Sequence, residues 1–218
     1  MSNLSLIWQS MPLLLKGAVI TLEIAAMVAL MGIFLGTLIG LGRTAGIGWL
    51  GGILRVYVEI IRGTPLYTQL LLICFGVPSA LDIQFNTFTA AVITMGINSS
   101  AYVAEIIRAG IQSIDKGQME AARSVGMSYG KAMVYIVLPQ AFKRVIPPLL
   151  NEVVVLIKDS SLVGALALVE LTRTAQLISS RTYKPFPALL GAAMLYLIMT
   201  FTLSQFSVWL ERRLRVSD

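Results

Sequence analysis

The sequence of 218 residues points to an all-α, polytopic membrane protein with about five transmembrane helices and a helical loop on its cytoplasmic side. Three observations make that prediction. Apolar residues form 56% of the chain and charged residues only 13%, well away from the balance of a soluble domain. The apolar residues fall into runs of about 20 or more, the length that crosses a bilayer core as a helix. Basic residues gather between those runs, the pattern that sets orientation in membrane proteins.

The runs define a single transmembrane domain over residues 1–218. The first, Leu13–Leu41, carries Gly32, Gly36 and Gly40, spaced by four. On a helix these form a smooth strip where another helix backbone packs closely, within the subunit or between subunits. The second, Leu54–Val77, is interrupted by Arg62-Gly63-Thr64-Pro65, where proline removes a backbone donor and opens the helix. Broken backbone survives in a membrane only inside protein or beside a cavity, so this is a hinge or gate, or a packing kink. The third run is Thr87–Ile107. The fourth is Leu149–Val169, with Pro147-Pro148 marking its start, and the fifth is Pro187–Leu210.

The loops choose the orientation. Arg43 and Arg55 flank the first loop, six basic residues lie between Arg108 and Arg144, and Arg212, Arg213 and Arg215 end the chain. The opposite side carries Lys16, Asp82, Arg173, Arg181 and Lys184. The imbalance puts the N-terminus outside and the C-terminus in the cytoplasm. No cleaved signal peptide is expected. The basic residues form no uninterrupted polycationic tail, so no nucleic-acid partner is expected. The chain has no histidine and one cysteine, Cys74, which rules out histidine-based catalysis or metal ligation and an intrachain disulfide.

Residues Ala109–Ile146 are too polar to span. Asp115 can cap a short helix with Gln118 in the capping-box position, Glu120-Ala121-Ala122-Arg123 favours helix, and Gly126 supplies a stop. Ser128 can cap a second helix running apolar to Leu138, where Pro139 ends it. Two short helices about a glycine turn, with Ala121, Ala122 and Val125 as a small apolar face, suit insertion into a groove on a partner.

These residues resemble the EAA loop of ABC importer permeases: Glu120-Ala121-Ala122, Gly126 after three further residues, then Ile136-Val137-Leu138-Pro139. Ile61-Arg62-Gly63-Thr64-Pro65, Ile97-Asn98-Ser99 with Ala101-Tyr102, and Lys158-Asp159-Ser160-Ser161-Leu162 are similar to the polar amino-acid uptake branch of type I importers. The resemblance implies a five-span core and a second permease subunit, identical or not. It also implies two ABC ATPases seated on the coupling loop through Glu120, Ala121, Ala122 and Gly126, and an extracellular or periplasmic amino-acid-binding protein. No Gly-x-x-x-x-Gly-Lys-Ser/Thr phosphate loop is present, so ATP and magnesium belong to the partner ATPase and this chain binds no cofactor.

Ionisable residues within spans are costly and mark cavities or partners. Glu23, Glu59, Arg62 and Glu105 are such residues, and the fourth run is the densest: Asn151, Glu152, Lys158 and Asp159. Glu152 and Asp159 lie two helical turns apart and share a face, with Asn151 and Lys158 on the adjacent stripe. An amino acid needs a carboxylate opposite its ammonium and a cation opposite its carboxylate. Glu152 and Asp159 suit the first task, and Lys158 or Arg62 the second. The additional acid at Glu152 favours a basic substrate such as arginine, lysine or histidine over glutamine or glutamate. Asn98, Ser99 and Tyr102 are candidate hydrogen-bonding partners, and the resemblance adds Ser160. The same charges also suit pairs that only hold the bundle together. An ATP-independent transporter lacks support because no repeated half is visible. An intramembrane enzyme would have only Lys158-Asp159-Ser160, whose adjacent side chains diverge on a helix.

Overall fold

The computed structural model describes residues 3–214, so Arg215 of the basic tail lies outside the described residues. Those residues are helical throughout, with no strand among them. Helix α1 (Asn3–Thr44) is 42 residues long. Helix α2 (Gly48–Arg62) is followed by α3 (Leu66–Leu71), a π-helical turn at Leu72–Gly76, and α4 (Val77–Leu81). The axis turns by 96° between Arg62 and Leu66, so the expected break at Gly63-Thr64-Pro65 is a sharp corner. Helix α5 (Thr87–Gln112) starts where the Asn86 side chain accepts the Thr89 N–H at 3.1 Å.

Helix α1 lies along α5, and the glycine strip is the seam. A β-carbon on Gly32 would meet Ser99 Oγ at 2.6 Å, one on Gly36 would meet Val103 Cβ at 2.5 Å, and one on Gly40 would meet Ile107 Cβ at 2.7 Å. Only glycine lets the two backbones come this close. Above the seam, Ile24, Val28, Leu70, Met95, Leu156 and Val163 pack into the main apolar core. On the outer faces Leu30, Phe34 and Leu38 of α1 are exposed, as are the large apolar side chains of the last helix, which is what lipid contact requires.

The polar connection contains α6 (Lys116–Ser124) and α7 (Tyr129–Ala132). Asp115 caps α6 by accepting the Gly117 N–H at 2.6 Å, Gly126 closes it at φ 87°, and Ser128 caps α7 by accepting the Lys131 N–H at 3.4 Å. Ile111, Ile114, Val137 and Ala141 form a small core beneath this knob. The caps agree with the sequence reading. The exit does not. Instead of ending at Pro139, the chain passes through a π-helical turn at Met133–Val137 straight into α8 (Leu138–Asp159). Pro139 lies in the first turn of α8, and the wider π turn before it makes room for a ring that would clash with the carbonyl four residues back.

Pro147 and Pro148 are therefore inside a helix rather than at the start of one. Ser207 Oγ on the last helix lies 3.5 Å from the Pro147 carbonyl, the sort of neighbouring contact that tolerates proline in a bundle. The helix also stops earlier than Val169: α8 closes at Asp159, Ser160–Leu166 is a 3-10 turn, and Ala167 adopts φ 63°. Helices α9 (Leu171–Thr182) and α10 (Pro185–Leu214) complete the chain. Helices α1, α5 and α10 are each long and apolar enough to cross a bilayer, and the bent pair of α2 with Leu66–Leu81 is a fourth candidate. Helix α8 is more polar than these because it carries Lys143, Arg144, Glu152, Lys158 and Asp159.

Candidate functional site

The polar face of α8 meets the middle of α5. Ser99 on α5 donates from Oγ to Glu152 Oε1 at 3.0 Å, fixing a half-buried carboxylate on the inner side of α8. One residue earlier, Asn98 is buried and donates from Nδ2 to Gln69 Oε1 at 3.0 Å. Gln69 in turn braces the corner, donating from Nε2 to the Ile61 carbonyl at 2.8 Å and to Thr64 Oγ1 at 2.7 Å. These bonds satisfy backbone freed by Pro65, and they tie the corner to α5 through one amide side chain.

Arg62, the last residue of α2, places its guanidinium carbon 5.1 Å from the centroid of the Tyr102 ring, within cation–π range. Asp159 is half-buried at the C-terminal end of α8, two turns beyond Glu152. Ser99 and Tyr102, one turn apart on α5, thus bring the Glu152 carboxylate and the Arg62 guanidinium to the same stretch of that helix. Asn151 and Lys158 are exposed on the neighbouring stripe of α8. Ser160 is fully buried and donates to the Ile157 carbonyl at 2.8 Å, which commits its hydroxyl to the helix end.

Residues 30–216 match the family described as binding-protein-dependent transport system inner membrane component. The chain belongs to this family. It is a multi-pass membrane permease of a type I ABC importer, and ATP hydrolysis falls to a partner ATPase. The arginine transport system permease protein ArtQ of Bacillus subtilis (strain 168) is 39% identical over 95% of this chain and 94% of its own length. The glutamine transport system permease protein GlnP of Escherichia coli (strain K12) is 41% identical over 97% of both chains. A crystal structure of an amino acid ABC transporter with histidines superposes with TM-score 0.93 at 42% identity, covering 98% of this chain and 99% of that one.

Two features of this permease escape sequence reasoning. Gln69 is an ordinary polar residue in a helical run whose partner lies 29 residues away, while Ser99, a candidate for hydrogen bonding to substrate or between helices, bonds to Glu152 on a neighbouring helix. Glu170, just before α9, is fully buried. It accepts the amides of Thr172 at 2.8 Å and Arg173 at 2.6 Å, and the Tyr196 hydroxyl at 2.8 Å. Glutamate is not a preferred capping residue, so nothing in the local pattern marks it. On the EAA loop, Glu120, Ala121 and Gly126 are exposed, whereas Ala122 turns inward and is buried. Val125 is the most exposed apolar side chain of the knob, at 79%.

Proposed function

We propose that this permease imports a polar amino acid, with a basic one as the preferred substrate, and that Glu152 and Asp159 receive its positive groups. The Ser99-anchored Glu152, with the Arg62 guanidinium on Tyr102 one turn along the same helix, is the observation that carries this reading. Arg62 or Lys158 meets the substrate carboxylate, Tyr102 and Asn98 line the approach, and Asn151 completes the set, whereas the buried Ser160 holds the end of α8 instead. Helix α8 is then a fifth span, its charges turned toward a watery pathway rather than lipid.

The permease works with a second copy or a close relative, with a binding protein delivering substrate at the outer face. The N-terminus lies outside and the C-terminus in the cytoplasm, in agreement with the loop charges. The exposed face of Glu120, Ala121 and Gly126 seats in the ATPase, which holds ATP and magnesium. A glutamine substrate is the second reading, favoured by the Asn98–Gln69 amide pair beside the site, which suits a side-chain amide.

ATP hydrolysis by the assembled importer in vesicles, with binding protein and arginine, lysine, histidine or glutamine, decides between them. Glu152→Gln should cut stimulation by the basic amino acids about tenfold or more while sparing glutamine. Equal stimulation of Glu152→Gln and wild type by arginine would overturn the basic-substrate assignment.

A further inference from the structure

At the end of the bundle that carries α6 and α7, the turn from α1 to α2 leaves a cavity of about 630 Å³. Arg43, Arg55 and Arg108 line it, with Glu59 and Gln112, and Glu105 sits behind two of the arginines. Arg43 Nη1 lies 2.8 Å from Glu105 Oε2, and Arg108 grips the same carboxylate from the next turn of α5. One carboxylate therefore serves two guanidiniums. Arg55 is exposed and makes no ion pair among the described residues, although Glu59 follows it one turn later. Three arginines against two glutamates leave a net charge of +1.

The remaining wall is Ile47 and glycine backbone. A β-carbon on Gly46, Gly48 or Gly52 would meet nothing within 4 Å, unlike the crowded glycines of the α1–α5 seam. The first turn of α2 opens into the cavity, and no side chain caps it. Beside it Trp49 and Ile53 are exposed at 71% and 60%, an aromatic and an aliphatic anchor of the kind found at headgroup depth.

The geometry points to a binding site for a singly charged phosphate-type anion, held by Arg55 together with Arg43 and Arg108. Guanidiniums recognise phosphate oxygens in a bidentate manner, and one phosphodiester would neutralise the cavity. The anion is the headgroup of an acidic membrane lipid reaching in beside Trp49, or a free phosphate from the aqueous side. The site is separate from the polar face of α8, so it stands or falls independently of the substrate.

The test uses the importer purified with its ATPase, delipidated, and examined by native mass spectrometry with added phosphatidylglycerol, phosphatidylcholine or inorganic phosphate. One phosphatidylglycerol retained per permease chain, about tenfold weaker in Arg55→Gln and unchanged in Arg181→Gln, supports the site with a lipid source. Retention of inorganic phosphate with the same dependence on Arg55 supports it with a soluble source. Arg55→Lys, which keeps the charge, should bind better than Arg55→Gln and guards against a misfolded variant. Equal binding by Arg55→Gln and wild type, or no retention of either anion, would overturn the proposal.

Discussion

Replacing Gly36 by alanine adds one methyl group at the tightest point of the α1–α5 seam. That carbon would sit 2.5 Å from Val103 Cβ and 2.7 Å from the Ser100 carbonyl oxygen, where ordinary contacts begin near 3.4 Å. The helices must separate by about 3.4 − 2.5 = 0.9 Å, because one obstacle is backbone and the other is a β-branched carbon with no rotamer to escape into. Such overpacking costs about 1–3 kcal/mol. For a chain of this size that corresponds to a fall in midpoint of roughly 4–8 °C for a 2 kcal/mol loss. The assay is thermal unfolding of the purified complex, with Gly130→Ala as the comparison. Nothing lies within 4 Å of a β-carbon at Gly130, so its alanine variant should be neutral or slightly stabilising. Matching midpoints for the two variants would show that the seam is loose and that the glycine strip does not set the helix separation.

Glu170→Ala strands two amides in a buried place and leaves the Tyr196 hydroxyl only Thr172 as a partner, and should lower stability by about 2 kcal/mol or more in the same melt. Gln69→Ala frees the Ile61 carbonyl and the Asn98 amide at once, so substrate-stimulated hydrolysis should fall severalfold in vesicles although the ATPase still co-purifies. Gly126→Val forces a β-branched residue to φ 87°, a strain of about 1–2 kcal/mol at the turn between α6 and α7. It should weaken co-purification of the ATPase while leaving amino-acid binding to the delivering protein unchanged.

The parts of the fold that the sequence made legible are those written in local spacing. Gly32, Gly36 and Gly40 repeat every four residues, and the structure places all three in one seam. Asp115, Gly126 and Ser128 act at the turns where their chemistry is needed. Prolines misled the reading in both places where it took them as boundaries. Pro139 follows a π turn, and Pro147-Pro148 sit in a helix whose neighbours compensate, so a rule tuned to isolated helices fails. For the candidate site, the seven-residue interval between Glu152 and Asp159 could be read directly. The Ser99 bond to Glu152 and the Gln69 brace could not, because they join helices whose relative placement depends on packing across the whole bundle.

The π turn and α8 are one continuous helical segment from Met133 to Asp159, with Pro147 and Pro148 inside it. At about 1.5 Å per residue it is roughly 39 Å long, anchored at the knob and tipped by the acidic residues at its far end. A pivot of about 5° at the knob would sweep Asp159 sideways by roughly 3 Å, about the length of a hydrogen bond. A stop at Pro139 would have placed a flexible joint in that path and absorbed the motion. Continuity passes such a movement along the helix as far as the Ser207 contact at Pro147 lets it stay straight, so small rearrangements at the knob reach single contacts at the other end.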